Sequence, residues 1–423
     1  MSRLIQDGKL RRVVVTGIGL VTPFGIGREA AWDGAISGRS TSATITSFDS
    51  SECETHFACE VPGFEPTDFV ERRAARRMDR FSQLAVAASR LALDDSGVEG
   101  TAARDRIGVM IGSGIGGIET FYQQVVVCRD RGADRVSPLF IPMIIANMAG
   151  AQASMDLGFQ GPLSCATTAC ASANHAIGDA FDQIRLGRAD VMFAGGAEAA
   201  VTYVGIVGFN AMKALSTRND DPGTASRPFD IGRDGFVMGE AGAVLVLEEK
   251  ERAEARGADI VCEIVGYGLS GDAHHITEPD PTGAGPANAM LMALADADLE
   301  PSDIDYINAH GTSTPVGDPS EIRVIRRAFG DELAARTMVS STKSMHGHCL
   351  GAAGALEGAL TALSIKHGIV PPTINLSELD PDCAGVDHVI NEARTATVDA
   401  ALSNVFGFGG HNATLAFQRA GVR

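Results

Sequence analysis

The 423-residue chain sets 35 Lys and Arg against 53 Asp and Glu, and its formal charge of −18 excludes general nucleic-acid binding for want of a cationic surplus. Hydrophobic content of 45% and charged content of 21% fit a globular protein, and no stretch reaches the ~18 apolar residues of a membrane span. A glycine count of 49 with 5% aromatics favours tight strand-to-helix turns, and the length suggests two domains or one large duplicated one.

In chain order, residues 1–12 hold charges without an apolar core and do not read as a signal peptide. Residues 12–17 read as a buried strand ending in a glycine turn. Residues 71–80 form a basic cluster on an acidic chain, read equally as a solvated helix face with internal ion pairs or as a dock for an acidic partner. A second strand spans 106–112. The GxGxxG that follows, Gly112 to Gly117, lacks the strand and acid that a dinucleotide site requires, so it is read as a tight turn near the active site.

Cys170 stands just before a helix whose apolar positions are Ala173, Ile177, Ala180, Phe181 and Ile184. A helix N-terminus favours a thiolate, so a lowered pKa and a reactive thiol are expected. A third strand follows at 190–196, and residues 216–234 read as a long surface loop. The charged stretch 248–259 is the expected join between halves. Beyond it the strand–glycine pattern recurs at 260–268, 304–311 and 401–410, which suggests an internal duplication.

His310 projects from a strand end before a Gly-Thr-Ser-Thr turn. His348 begins a helix of small and apolar residues closed by Gly368 and Pro371-Pro372, and Lys343 lies just upstream. The other eight histidines are read as structural. For Phe406 to Gly410 a strand ending in a tight turn is favoured over close approach to a ligand. One cysteine, two histidines and no adjacent acid suggest a condensing site rather than a hydrolytic one. The eight cysteines show no CxxC pair, no His/Cys spacing resembles a zinc motif, and a reducing cytoplasmic setting is expected.

From about Arg12 to Phe417 the motifs, in order, resemble the β-ketoacyl-acyl-carrier-protein synthases, most of all the elongating type II. The resemblance rests on Thr-Ala-Cys170-Ala-Ser, on His310 in His-Gly-Thr-Ser-Thr-Pro-Val-Gly-Asp, and on Lys343-Ser344 with Gly347-His348 and Gly351 to Gly354. Phe406 to Gly410 completes it. It implies a thiolase-like five-layered α/β/α/β/α fold from an internal duplication, with residues 1–255 carrying the nucleophile and 256–423 the two histidines, in a homodimer. It implies that Cys170 takes the acyl chain as a thioester and that the N–H groups of Cys170 and Phe408 form the oxyanion hole. His310 and His348 then stabilise the enolate left when malonyl-carrier loses carbon dioxide, Lys343 orders the site, and Phe408 gates it. Thr312 and Thr314 hold the pantetheine arm with Thr277 nearby, Ile115 lines the acyl pocket, and Gly409 brings backbone to the substrate. Arg73, Arg76, Arg77 and Lys213 meet the acyl carrier protein. No cofactor or metal is expected.

His348 argues for elongation, because relatives that start chains from acyl-CoA are expected to carry Asn there. Ser172 stands where threonine is common, and so does His411. The alternatives are a ketosynthase of a specialised polyketide or modified-lipid pathway, a non-catalytic partner subunit (against which Cys170 counts), and a nicotinamide oxidoreductase, whose sequence context fails.

Overall fold

The computed structural model describes residues 10–422, so most of the leading segment read above lies outside the described residues. The first half runs through β1 (Val13–Thr22), α1 (Arg80–Ser96), β2 (Ile107–Gly112), α2 (Met148–Leu157), β3 (Leu163–Ser164), α3 (Ser172–Arg185), β4 (Val191–Glu198) and β5 (Ala241–Glu249). The second runs through β6 (Cys262–Gly271), α4 (Ala284–Ala297), β7 (Tyr306–Asn308), α5 (Gly317–Phe329), β8 (Met338–Ser340), α6 (Ala353–His367), β9 (Ala400–Gly407) and β10 (His411–Gln418).

The duplication is visible in topology. Strand order β3-β2-β4-β5-β1 in the first half matches β8-β7-β9-β10-β6 in the second. In each, the pairs flanking the second strand are parallel and the last two pairs antiparallel. The half-sheets join edge to edge where Val13 faces Ile264 and Val15 faces Cys262.

Helices α3 and α6 pack on each other and on strands of both halves, so they form the middle of five layers. Helices α1 and α2 cover the outer face of the first half-sheet, α4 and α5 that of the second. Enclosure on every side explains why α6 carries no polar stripe and is buried from Ala353 to Ile365. Among the described residues no helix is long and apolar enough to cross a membrane.

Each outer helix presses onto the first strand of its half through a matching pair of glycines. A Cβ at Gly19 would lie 1.9 Å from the Ala88 carbonyl, and one at Gly268 would lie 1.9 Å from the Ala289 carbonyl. Gly17 and Gly266 stand in the same relation to Ala92 (2.8 Å) and Ala293 (2.1 Å). Small residues on both surfaces let backbone meet backbone, and the same solution appears twice.

Residues 216–234 meet the expectation of a surface loop only in part: Thr217, Asn219, Asp220, Asp221 and Asp234 are exposed, while the stretch from 225 to 233 turns inward. Ala225, Ser226, Phe229, Asp230 and Arg233 are buried. The Asp230 carboxylate accepts from the N–H groups of Gly232 (2.7 Å), Ser377 (2.8 Å) and Glu378 (3.0 Å) and from Arg227 (2.9 Å). Burial opposes its ionisation, but Arg227 and those donors hold it well below the usual carboxylate range. Arg233 donates to the carbonyls of Thr314 (3.0 Å) and Pro315 (3.1 Å), so this loop of the first half buttresses the segment after His310 in the second. Asp230 and Arg233 thus form a buried hydrogen-bonding frame beneath the exposed Asp220, Asp221 and Asp234.

Gly19→Ala and Gly268→Ala are each expected to destabilise by about 1–3 kcal/mol or more, because the added methyl forces helix and strand apart. Denaturant unfolding checks this, and Gly208→Ala, in open space within the helix Tyr203–Ala211, should not lower the midpoint.

Candidate active site

The carboxyl ends of the parallel strands and the N-termini of α3 and α6 converge on one cavity of about 540 Å³. This is where an open α/β sheet leaves room for a ligand. Cys170 precedes Ala171, the N-cap of α3, and is 8% exposed on the cavity floor. His348 precedes a short 3-10 turn that leads into α6. Its Nε2 lies 3.0 Å from the Cys170 Sγ. His310, at the end of β7, sets its ring edge-on to His348 with centroids 5.3 Å apart. Nδ1 of both rings is buried with no hydrogen-bond partner among the described residues.

The expected lowering of the thiol pKa is overturned. Burial pushes Cys170 up to about 11, against the opposing pull of the Lys343 charge and of the Phe408 and Cys170 N–H groups. A helix terminus buried in apolar surroundings does not offset the lost hydration of a thiolate. Burial, then the Lys343 charge, also holds both imidazoles well below their ordinary range. Near neutral pH the trio is therefore a thiol and two neutral imidazoles.

Lys343 lies beneath the cavity, 1% exposed, and pairs with Glu357 on α6 at 2.5 Å. Burial lifts Glu357 to about 7 despite that lysine. Two further buried acids, which no local sequence signal announces, shape the walls. Glu198, at the end of β4, accepts from the Gly114 N–H (2.7 Å), the Ser113 hydroxyl (2.9 Å) and the Gly351 N–H (3.1 Å). Glu321, on α5, accepts from the N–H groups of His310 (2.8 Å) and Gly311 (2.7 Å), and burial lifts it to about 7. Each carboxylate fixes the glycine turn after the corresponding strand of its half, β2 or β7. The GxGxxG turn is thus a wall of this cavity.

Ile115, Thr277, Thr312, Thr314, Phe408 and Lys213 all line the cavity. The Thr312 and Thr314 hydroxyls are 3.1 Å apart. Phe408 directs its N–H at the Cys170 sulfur. Gly409 is set back from the wall, with φ +79° and its N–H on the Ile276 carbonyl at 2.8 Å. Lys213 is held by Glu54 at 2.7 Å. Arg73, Arg76 and Arg77 are exposed at the short helix Arg72–Ala75, away from the cavity and without an ion pair among the described residues. Arg80 of the same cluster is instead committed to Glu240 at 2.6 Å.

Sγ and the imidazole nitrogens of Cys170, His310 and His348 lie within 4.8 Å of one another, so any soft metal ion would have to occupy the reactive atoms themselves. A nucleophile, a neutral base at hydrogen-bond distance and two backbone N–H groups aimed at the sulfur suit attack on the carbonyl of a thioester. A second neutral imidazole beside the first suits an oxyanion that develops further out.

Residues 10–253 match the model of the β-ketoacyl synthase N-terminal domain, and residues 261–377 match that of the C-terminal domain. The chain is 50% identical over 410 residues to the 3-oxoacyl-acyl-carrier-protein synthase 2 of Synechocystis sp., covering 97% of this chain and 98% of that protein. A β-ketoacyl synthase from Burkholderia phymatum STM815 superposes with a TM-score of 0.90 at 40% identity, over 97% of this chain and 100% of that one. A type II polyketide ketosynthase solved in complex with its acyl-carrier protein also gives 0.90, at 31% identity and the same coverage.

Alkylation of Cys170 by a neutral haloacetamide is expected to quicken roughly tenfold per pH unit across the neutral range. It should show no plateau below the thiol pKa of about 11. A plateau near neutrality would mean a preformed thiolate–imidazolium pair.

Proposed function

The chain belongs to the β-ketoacyl synthase family, and we propose that it catalyses the elongation step of fatty-acid synthesis. The reaction is the decarboxylative condensation of an acyl thioester with malonyl-acyl-carrier protein to give β-ketoacyl-acyl-carrier protein. The observation that carries this reading is the 3.0 Å contact of Cys170 Sγ with His348 Nε2, with His310 alongside and two N–H groups facing the sulfur.

Cys170 attacks the acyl-carrier thioester as its proton passes to His348 and on to the departing pantetheine thiolate. The thiolate is the better leaving group, so the tetrahedral adduct collapses to the acyl-enzyme. Because His348 is neutral at rest, the transfer leaves no net charge on it. Malonyl-carrier then enters, and loss of carbon dioxide leaves an enolate whose oxygen receives N–H groups from His310 and from His348, the latter now as its Nε2–H tautomer. The enolate carbon attacks the Cys170 thioester, the oxyanion sits on the Cys170 and Phe408 N–H groups, and the C–S bond breaks. The released thiolate takes up one proton. Lys343, held in place by Glu357, biases both imidazoles toward the uncharged form through its charge, while Phe408 gates access. Thr312 and Thr314, with Thr277 nearby, hold the pantetheine arm, Ile115 lines the acyl pocket, and Gly409 sets the turn that carries Phe408.

The acyl carrier protein is the macromolecular partner, and Arg73, Arg76, Arg77 and Lys213 receive its acidic surface. The specialised-pathway alternative is not favoured, since the relative of higher identity is a 3-oxoacyl-acyl-carrier-protein synthase. The halves divide at 255/256, in the connection between β5 and β6. The eight free cysteines suit a reducing cytoplasm. A homodimer is supported by the open edge of β3 and the exposed apolar side chains around it, Phe121, Val125, Ile141, Met155 and Leu163.

Intact mass after incubation with acyl-loaded carrier is expected to show an acyl adduct in the wild type and none in Cys170→Ala. Its absence across chain lengths would sink the reading. Reversing Arg73, Arg76 and Arg77 to Glu should slow loading from the carrier by about tenfold and leave loading from a small acyl thioester unchanged. Sedimentation at micromolar concentration should find the dimer, and a stable monomer would remove the β3 interface from the proposal.

A further inference from the structure

Cys170 is held on a turn that the chain would not adopt unaided. Ala169 takes a left-handed φ of +51°, a region that residues with a Cβ avoid. Ser172 grips the inside of the turn, donating to the Ala169 carbonyl at 2.7 Å and accepting the Thr168 N–H at 2.9 Å. Its outside is gripped by His175, one turn into α3 and buried. His175 Nδ1 lies 2.8 Å from the Thr168 hydroxyl and 3.1 Å from the Ala171 carbonyl. The two residues it grips flank Cys170 on either side.

The far side of the same ring faces the other half of the molecule. The His411 and Tyr267 rings stand edge-on to it, each with centroids 6.3 Å away. His411 is the first residue of β10, immediately after the turn that carries Phe408. That turn leans directly on the nucleophile: a Cβ at Gly407 would lie 3.0 Å from the Thr168 carbonyl and 3.3 Å from the Cys170 nitrogen. The imidazole of His175 therefore touches both segments whose N–H groups point at the sulfur.

We propose that His175, through the Thr168 hydroxyl, is a positioning residue that keeps the N–H groups of Cys170 and Phe408 aimed at one point. It never meets the substrate. Nδ1–H of the neutral ring donates to the Ala171 carbonyl and to the Thr168 hydroxyl, which fixes the left-handed turn and with it the direction of the Cys170 N–H. The ring's other face keeps the Phe408 turn from drifting. The inference rests on Cys170 being the nucleophile, but alkylation by a neutral reagent reads the sulfur's surroundings without any acyl substrate. Failure of one reading can thus be told from failure of the other.

The test compares Thr168→Val, His175→Phe, His175→Asn and the Thr168→Val/His175→Phe double variant in the full-length protein. Asn can place an amide N–H near the position of Nδ1, whereas Phe keeps the ring and loses the donor. With the N–H donors misaimed the thiolate is less stabilised, so Thr168→Val and His175→Phe should each be alkylated about threefold to tenfold more slowly at fixed pH. Acyl transfer should lose kcat by a similar factor with KM for the carrier unchanged. His175→Asn should recover most of the loss, and the double variant should be no worse than the poorer single one. Three results would overturn the proposal: wild-type alkylation in Thr168→Val, His175→Asn as impaired as His175→Phe, or losses that multiply in the double variant. Should His175→Phe fail to fold, Thr168→Val and His175→Asn alone decide the matter, since they change a methyl-sized group and a polar isostere.

Discussion

The 3.0 Å contact between Cys170 and His348 is the constraint around which the molecule is organised, because each partner belongs to a different copy of the same topology. Cys170 stands at the start of α3 and His348 at the approach to α6, the equivalent helices of the two halves. Bringing both N-termini to one point requires the helices to lie together between the half-sheets. That in turn requires β1 and β6 to pair and the outer helices to sit close on their strands. The paired glycines of β1 and β6 and the featureless burial of α6 serve this one requirement.

Electrostatically the site is a chamber whose buried charges are spent on its walls. Glu198 and Glu321 accept N–H groups from the glycine turns after β2 and β7, and Glu357 neutralises Lys343. No carboxylate is left to pair with the catalytic imidazoles, whose Nδ1 atoms have no partner among the described residues. A histidine bonded to an acid would rest closer to its charged form, which suits a hydrolase cycling through imidazolium. Two neutral rings instead offer N–H donors to an enolate oxygen without delivering a proton that would quench it. The raised thiol pKa belongs to the same design: burial disfavours the free thiolate but matters little once the sulfur is acylated.

Much of this was legible in the sequence for identifiable reasons. His310 and His348 announce themselves by glycine-flanked turns at element ends and Cys170 by its place before a helix, and the strand pattern repeats in both halves. The buried acids were not legible, because their partners are backbone N–H groups from distant loops: Glu198 serves Gly351, 153 residues away. Nor was the thiol pKa, because local sequence reports the helix terminus but not the depth of burial. Residues 225–233 misled for the opposite reason. Their Asp, Arg and Gly content is that of a solvated loop, and only the tertiary contacts of Asp230 and Arg233 turn it inward. His175 carries no signal at all, one helical turn past a motif that draws the eye elsewhere.

The halved ownership of the site also sets an order of events during synthesis. Cys170 and His348 are separated by 178 residues, so at about 5–20 residues per second the ribosome makes the nucleophile roughly ten to thirty-five seconds before its base. Through that interval the central helix of the first half has neither its α6 neighbour nor the second half-sheet over it. The sulfur stays a plain cysteine, without the chamber that gives it chemistry. The His348 base and the Phe408 N–H group join the sulfur only once the second half has been made.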